Sequence, residues 1–188
     1  PPDPLAANGA GLIHGQSLFF LSTTGNLHVQ TDLVNDIINT AVLDGVTGAP
    51  VPGGTITGSV NDITAVTGNI VAGGTGEFAI LNNDYRQLAG GGAIGGEAIV
   101  SVGANSISTG TAFQPLVNNR NGSIGGNATV SVAVTNDITV GTDTFFTLDN
   151  DGGAIGGYAL GTLSARNSTS ANSFNFVIVN DAGIIGGD

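Results

Sequence analysis

Carboxylates are the side chains most suited to chemistry in this chain of 188 residues, which has fourteen acids and no cysteine. Paired carboxylates cleave glycosidic bonds, and a carboxylate beside a basic residue abstracts protons. The only glutamates are Glu77 and Glu97, and neither Asp143 nor Asp149 has an obvious partner. Lysine is absent. The three arginines are Arg86, Arg120 and Arg166. We therefore predict no catalytic residues and no enzyme, with a carbohydrate-binding or polysaccharide-cleaving protein as the alternative.

Several carboxylates cluster at predicted turns. They are Asp149 and Asp151 around Asn150, Asp84 after Asn83, and Asp181 after Asn180. Stacked acidic turns could bind Ca²⁺, which prefers several oxygen ligands. Asx-turn chemistry explains the same residues, and the glycine-aspartate nonapeptide of calcium-roll proteins is absent. We expect no metal and no cofactor here.

The two histidines, His14 and His28, would need a carboxylate such as Asp32 or Asp36 beside them to hold a metal ion. Both lie in the least repetitive part of the chain. We interpret them as ordinary polar residues.

Composition limits the partners. The formal net charge is −11, and a chain this acidic repels phosphate backbones, which argues against nucleic acid as a partner. The chain lacks the basic face that binds an anionic membrane surface, and no apolar run is long enough for a transmembrane helix. The hydrophobic share of 40% argues against disorder.

One short unit organises the chain. It reads Gly92 to Gly96, Gly122 to Gly126, Gly153 to Gly157 and Gly183 to Gly187, at spacings of 30, 31 and 30 residues. Degenerate copies of the unit begin at Gly54 and Gly25. The segment from Tyr85 to Ala89 is interpreted as an insertion. A fixed period of this length indicates a repeat architecture.

Each repeat is predicted to hold three short strands joined by Gly and Asn turns. An aromatic-aliphatic run precedes the glycine unit, as in Phe78 to Asn82. An alternating run follows it, as in Ala98 to Val102, and then a third run such as Ser106 to Thr109. One repeat cannot bury both faces of its strands, so equivalent strands must stack. We predict an all-β fold, a parallel β-solenoid of about six coils. An antiparallel sandwich is the competing architecture.

Three predictions concern local structure. Thr31 to Leu43 is interpreted as two short strands around an Asn35-Asp36 turn, with an amphipathic helix as the alternative. Val46 to Pro52 is predicted to be an inserted loop. A ladder of stacked amides is predicted at one corner. Its members are Asn82 or Asn83, Asn118, Asn150 and Asn180.

The pattern Ile-Gly-Gly-x-Ala-x-Val-Ser-Val at Ile94–Val102 and Ile124–Val132 resembles the Gly-rich repeats of bacterial autotransporter-like and filamentous-haemagglutinin-like surface proteins. The resemblance covers roughly Phe78 to Asp188. It implies a right-handed parallel β-helix outside a bacterial cell, with an adhesive or structural role. No catalytic residues come with it.

We divide the chain into an irregular arm (1–17), degenerate first coils or a cap (18–77) and regular repeats (78–188). The last residues, Ile185 to Asp188, show no polar capping segment. We expect either a piece of a longer solenoid or an end that pairs with another copy. The predicted function is therefore a non-catalytic extracellular β-solenoid that self-associates end to end, with surface glycans as a further partner.

Overall fold

A computed structural model describes residues 6–7, 11–43, 47, 49–83 and 90–187, and all its regular elements are strands. The first twelve are β1 (Ala6–Ala7), β2 (Leu12–Ile13), β3 (Ser17–Thr23), β4 (Leu27–Val29), β5 (Leu33–Ile38), β6 (Val42–Leu43), β7 (Pro50–Val51), β8 (Thr55–Ile56), β9 (Val60–Val66), β10 (Asn69–Ala72), β11 (Gly76–Leu81) and β12 (Ala93–Ile94). The others are β13 (Ala98–Ala104), β14 (Ser106–Thr109), β15 (Phe113–Asn118), β16 (Ser123–Ile124), β17 (Ala128–Val134), β18 (Asp137–Val140), β19 (Asp143–Asp149), β20 (Ala154–Ile155), β21 (Ala159–Ser164), β22 (Asn167–Ser170), β23 (Ser173–Val179) and β24 (Ile184–Ile185).

Equivalent strands stack into four parallel sheets. Sheet I contains β3, β9, β13, β17 and β21, and sheet II contains β4, β10, β14, β18 and β22. Sheet III contains β1, β5, β11, β15, β19 and β23, and sheet IV contains β2, β8, β12, β16, β20 and β24. The predicted parallel β-solenoid of about six coils is confirmed. Each regular coil has four strands rather than the predicted three, because the glycine unit itself contains the two-residue strand of sheet IV.

Period-two alternation places one side of every long strand in the core. In β13, Ala98, Val100, Val102 and Ala104 are buried, while the residues between them are half-buried on the outer side. Each pairs in register with an apolar residue of β17, for example Val100 with Val130. Sheets I and III pack against each other across this core, so their outward sides lie on opposite faces of the solenoid. Apolar burial of this kind is the main stabilising term.

The glycine unit brings the backbones of successive coils together at a corner. The amide of Gly125 donates to the carbonyl of Ile94 at 2.8 Å. A Cβ added to Gly125 would lie 2.3 Å from the carbonyl oxygen of Gly95, closer than any real contact. The repeated glycine therefore marks a position where only a hydrogen fits.

Three predictions about the first coils are wrong. β5 runs without interruption from Leu33 to Ile38, so neither the Asn35-Asp36 turn nor the alternative helix exists. Gly25 does not hold the glycine-unit position: Leu27 pairs with Ile70 in sheet II. That position belongs to Gly11, whose carbonyl accepts from the amide of Thr55 at 2.8 Å.

The predicted irregular arm and inserted loop also contain strands. β1 extends sheet III and β2 extends sheet IV. Within the loop predicted for Val46 to Pro52, Pro50–Val51 forms β7 and pairs antiparallel with β6. The insertion predicted for Tyr85 to Ala89 lies outside the described residues.

Candidate functional site

The acidic turn at the end of sheet III is an ion-paired corner. The guanidinium of Arg120 lies 3.3 Å from Asp149 and 3.5 Å from Asp151. Asp149 also accepts a hydrogen bond from the amide of Asp151 at 3.0 Å, which is an Asx turn. Arg120 and turn geometry thus account for the two carboxylates that were considered as calcium ligands. Asp181 is exposed at the corresponding turn of the next coil, and Asp84 lies outside the described residues.

The histidines occupy different sheets. His14 is exposed in the turn before β3, and His28 is exposed on β4 of sheet II. Asp32 accepts from the amide of Thr75 at 2.7 Å and so serves a turn. Asp36 is buried in β5. Within the described ranges, no group of three or more His, Cys, Asp or Glu side chains is placed to hold a metal ion.

The residues considered for polysaccharide cleavage are also dispersed. Glu77 lies on the outer side of sheet III, where burial and then the charge of Asp32 raise its pKa. Glu97 lies at the corner before β13 and accepts from the Asn127 amide at 2.8 Å. Asp143 accepts from the Ser173 hydroxyl at 2.6 Å. Glu97 and Asp143 thus contact neutral side chains of the neighbouring coil.

The predicted amide ladder exists, with one member shifted. Asn39, Asn82, Asn119, Asn150 and Asn180 form it, each amide donating to the next carbonyl oxygen at 2.7 or 2.8 Å. Asn118 was the wrong choice, because it faces outward and caps the amide of Arg120 at 3.1 Å. Of the two alternatives at the earlier coil, Asn82 is the ladder member.

A second ladder at the corner between sheets I and II was not predicted. The amide of Asn136 donates to Asn105 at 2.8 Å, and that of Asn105 donates to Asn69 at 2.9 Å. The signal in the sequence is an Asn at or just before the third strand of each of these coils. Both ladders hold coils in register rather than bind a ligand.

A polar cluster inside the solenoid is the most unusual chemistry in the molecule. The Asn35 side-chain amide donates to Asp62 at 2.5 Å and to the Thr64 hydroxyl at 3.1 Å. All three side chains are at most 2% exposed. Burial, followed by the nearby charge of Asp36, raises the pKa of Asp62 to about 8. Asp62 therefore carries a proton at neutral pH.

A shallow groove of about 360 Å³ lies on sheet II near the last coil. Its lining residues are Asp137, Ile138, Thr139, Asn167, Ser168 and Thr169. Asp137 is paired with Arg166 at 2.7 Å, and that hydrogen-bonded pairing lowers its pKa. The groove offers hydroxyl and amide groups with one neutralised carboxylate, which suits a polar uncharged ligand better than a reaction.

The described part of the chain contains no helix long and apolar enough to cross a membrane. Comparisons of the chain with protein-family models, with characterised proteins and with solved structures each give no match. Any proposal about function therefore rests on the geometry of the coils.

Proposed function

We propose that this chain is a non-catalytic structural or adhesive β-solenoid, displayed outside a bacterial cell, that pairs end to end with further copies of itself. The observation that supports the proposal is the in-register stacking of equivalent coils, which makes the face of one coil complementary to the face of another. Phe174, Phe176 and Ile178 are in register with Thr144, Phe146 and Leu148, which are buried core residues. In the last coil the same positions are 43–44% exposed.

The strands at both ends lack the charges that usually protect sheet edges. Natural edge strands carry inward-pointing charges, lysines, prolines or bulges that prevent pairing with another chain. No Asp, Glu, Lys, Arg or Pro occurs in β21–β24 or in β2–β4. A further coil laid on either end would extend all four sheets and cover the exposed phenylalanines. Because the two ends differ, such contacts do not close and give a filament.

The proposal is tested by electron microscopy and light scattering of the wild type beside two aspartate variants. Phe176→Asp places a charge at a core position of the exposed end, so filaments should disappear. Phe145→Asp is the matched control: it is 37% exposed on the outer side of the same sheet, and filaments should persist. Circular dichroism checks that both variants keep their β structure. A wild type that stays monomeric over about 1–100 µM contradicts end-to-end pairing.

For the adhesive role, the partner proposed is a surface glycan held at the sheet II groove. Thr139 and Thr169 are exposed there and in register, and Asn167 precedes them on the last coil. Glycan-array binding that is lost in Thr139→Arg would support this role. Binding that is unchanged by that substitution would move the partner elsewhere.

A further inference from the structure

We infer that the outer side of sheet I is a lateral docking surface for the same surface of a second copy. The neutral face, as we call it, consists of the outward side chains of β3, β9, β13, β17 and β21. It runs along the solenoid, at right angles to the end-to-end contacts proposed above. Lateral pairing therefore does not depend on those contacts.

The distribution of charged side chains distinguishes the neutral face from the opposite face of the solenoid. The five strands contain one charged residue, Asp62, and its side chain points into the core. The opposite face, on the outer side of sheet III, carries Glu77, Asp143 and Asp149. In a chain of net charge −11, most ways of bringing two copies together oppose carboxylates to carboxylates. Two neutral faces meet without that repulsion.

The same face also exposes large apolar side chains. Leu18 and Phe20 are 60% and 59% exposed on β3. Register places Ile63 directly beside Phe20, and it places Asn61 between Leu18 and Ile99. These side chains form one continuous patch over the first three strands. Exposed apolar patches of this kind mark interaction sites.

The rest of the face suits close approach of a second sheet. Ala65, Gly103 and Ala133 form a row of small residues in register. Ser101 and Ser131 form the neighbouring row, and the Thr162 hydroxyl already donates to Ser131 at 3.0 Å. Two flat sheets with small outward side chains pack about 10 Å apart. A two-fold pair would set each apolar patch against the patch of the partner copy.

Cysteine cross-linking tests the pairing directly, because the chain has no cysteine of its own. Ser101→Cys introduces a thiol in the middle of the neutral face. Thr147→Cys introduces one on the opposite face at a similarly half-buried outward position. Because paired sheets lie about 10 Å apart, a bismaleimide linker of about that length should couple the two thiols, and we expect covalent dimers of Ser101→Cys to form at least about tenfold faster. Equal rates would overturn the proposal.

Sedimentation equilibrium gives the second test. Lateral pairs should strengthen with added salt, which screens the net charge. Phe20→Asp should weaken them at least about tenfold, because it buries two like charges in the interface. Phe145→Asp should leave them unchanged, and Ala133→Asp repeats the test at an exposed position if Phe20→Asp does not fold.

The outcomes separate lateral pairing from end-to-end assembly. Filaments without cross-linking at position 101 would contradict the lateral pair and would support end-to-end assembly alone. Cross-linked dimers of Ser101→Cys, together with a wild type that forms no filaments, would support the lateral pair and contradict end-to-end assembly. If a neutral glycan polymer binds the face and the protein stays monomeric, the second copy is the wrong occupant.

Discussion

The first two coils and the regular coils solve the same packing problem differently. In the regular coils, inward positions of sheets I and III hold Val100, Val102 and Phe78, all fully buried. In the preceding coils the equivalent positions hold Asp62, Thr64 and Asn35. Coil length differs too: successive ladder asparagines are 43, 37, 31 and 30 residues apart. The core therefore becomes regular one coil before the coil length settles at 31 and 30 residues.

This difference between the first coils and the regular coils shows how polar groups are tolerated inside a solenoid. In the regular coils each buried ladder amide donates both to the next asparagine and to a backbone carbonyl, as Asn119 does to Asn150 and Ala154. In the polar cluster, the side-chain oxygen of Asn35 and the second carboxyl oxygen of Asp62 lack a hydrogen-bond partner among the described residues. A proton on Asp62 turns that oxygen into a donor. Protonation therefore removes a burial penalty that the regular coils never face.

The largest expected effect is a dependence of stability on pH that originates in the first coils. Folded Asp62 holds its proton up to about pH 8, whereas in the unfolded chain it releases the proton near its ordinary pKa of 3.8. Between these values the folded state binds more protons, so the free energy of unfolding falls as pH rises from about 4 to 8 and then levels off. The full loss is roughly 6 kcal/mol, because a pKa difference of one corresponds to about 1.4 kcal/mol.

Denaturant melts from pH 4 to 9 measure this loss, with Asp62→Asn as the comparison. The variant keeps the shape and removes the titration, so its stability should change much less over that range. Glu77→Gln is the control, because the raised pKa of Glu77 acts in the same direction from a half-buried position on the outer side of sheet III. Hydrogen exchange at pH 9 should show early opening of β5 and β9 while β13 and β17 stay protected. Uniform opening of all coils would show that the first coils are no more sensitive to pH than the regular coils.

The regular coils were largely predictable because one glycine unit fixes the register of everything around it. Ile94, Ile124 and Ile155 stack as expected, and the alternation after them identifies the buried residues. The ladder was placed one residue away at Asn118 because the chain has two adjacent asparagines there. A slip of one residue turns a side chain from the core to the outside. Only the register with Asp149 shows that Asn118 points outward.

The first coils and the surfaces were not predictable in the same way. Glycine occurs at several corners of each coil. Gly25 resembles the glycine unit in sequence, but the structural equivalent of Gly25 in the next coil is Gly68. The Asn-Asp-Ile triplets at Asn35 and Asn61 look alike, yet Asn35 and Asp62 are the inward members. The polar cluster and the neutral face both depend on which residues of different coils share a side. That information comes from register and not from composition.

An intermediate effect is expected from breaking the amide ladder within the regular coils. Asn119→Ala leaves the Asn150 side-chain oxygen and the Ala154 carbonyl without their donor. At about 1–3 kcal/mol for each unsatisfied buried group, the free energy of unfolding should fall by about 4 kcal/mol. Asn118→Ala removes only an outward turn contact and should cost about 1 kcal/mol or less. Urea denaturation of both variants makes the comparison. Equal losses would mean that stacked amides do not distinguish the core side of this corner.

The smallest effect concerns one turn position whose residue type changes from coil to coil. Asn121, Gly152 and Ala182 occupy the same turn position in successive coils, with φ of 54°, 63° and 52°. Glycine adopts this left-handed conformation without strain, whereas alanine does not. Ala182→Gly should therefore raise the free energy of unfolding by about 0.5–1 kcal/mol, even though glycine loses more chain entropy on folding. Ala133→Gly, in the extended backbone of β17, should lower it by a similar amount. Thermal melts of the two variants should move in opposite directions. A loss of stability in both would show that the turn strain at Ala182 is already relieved by the neighbouring coil.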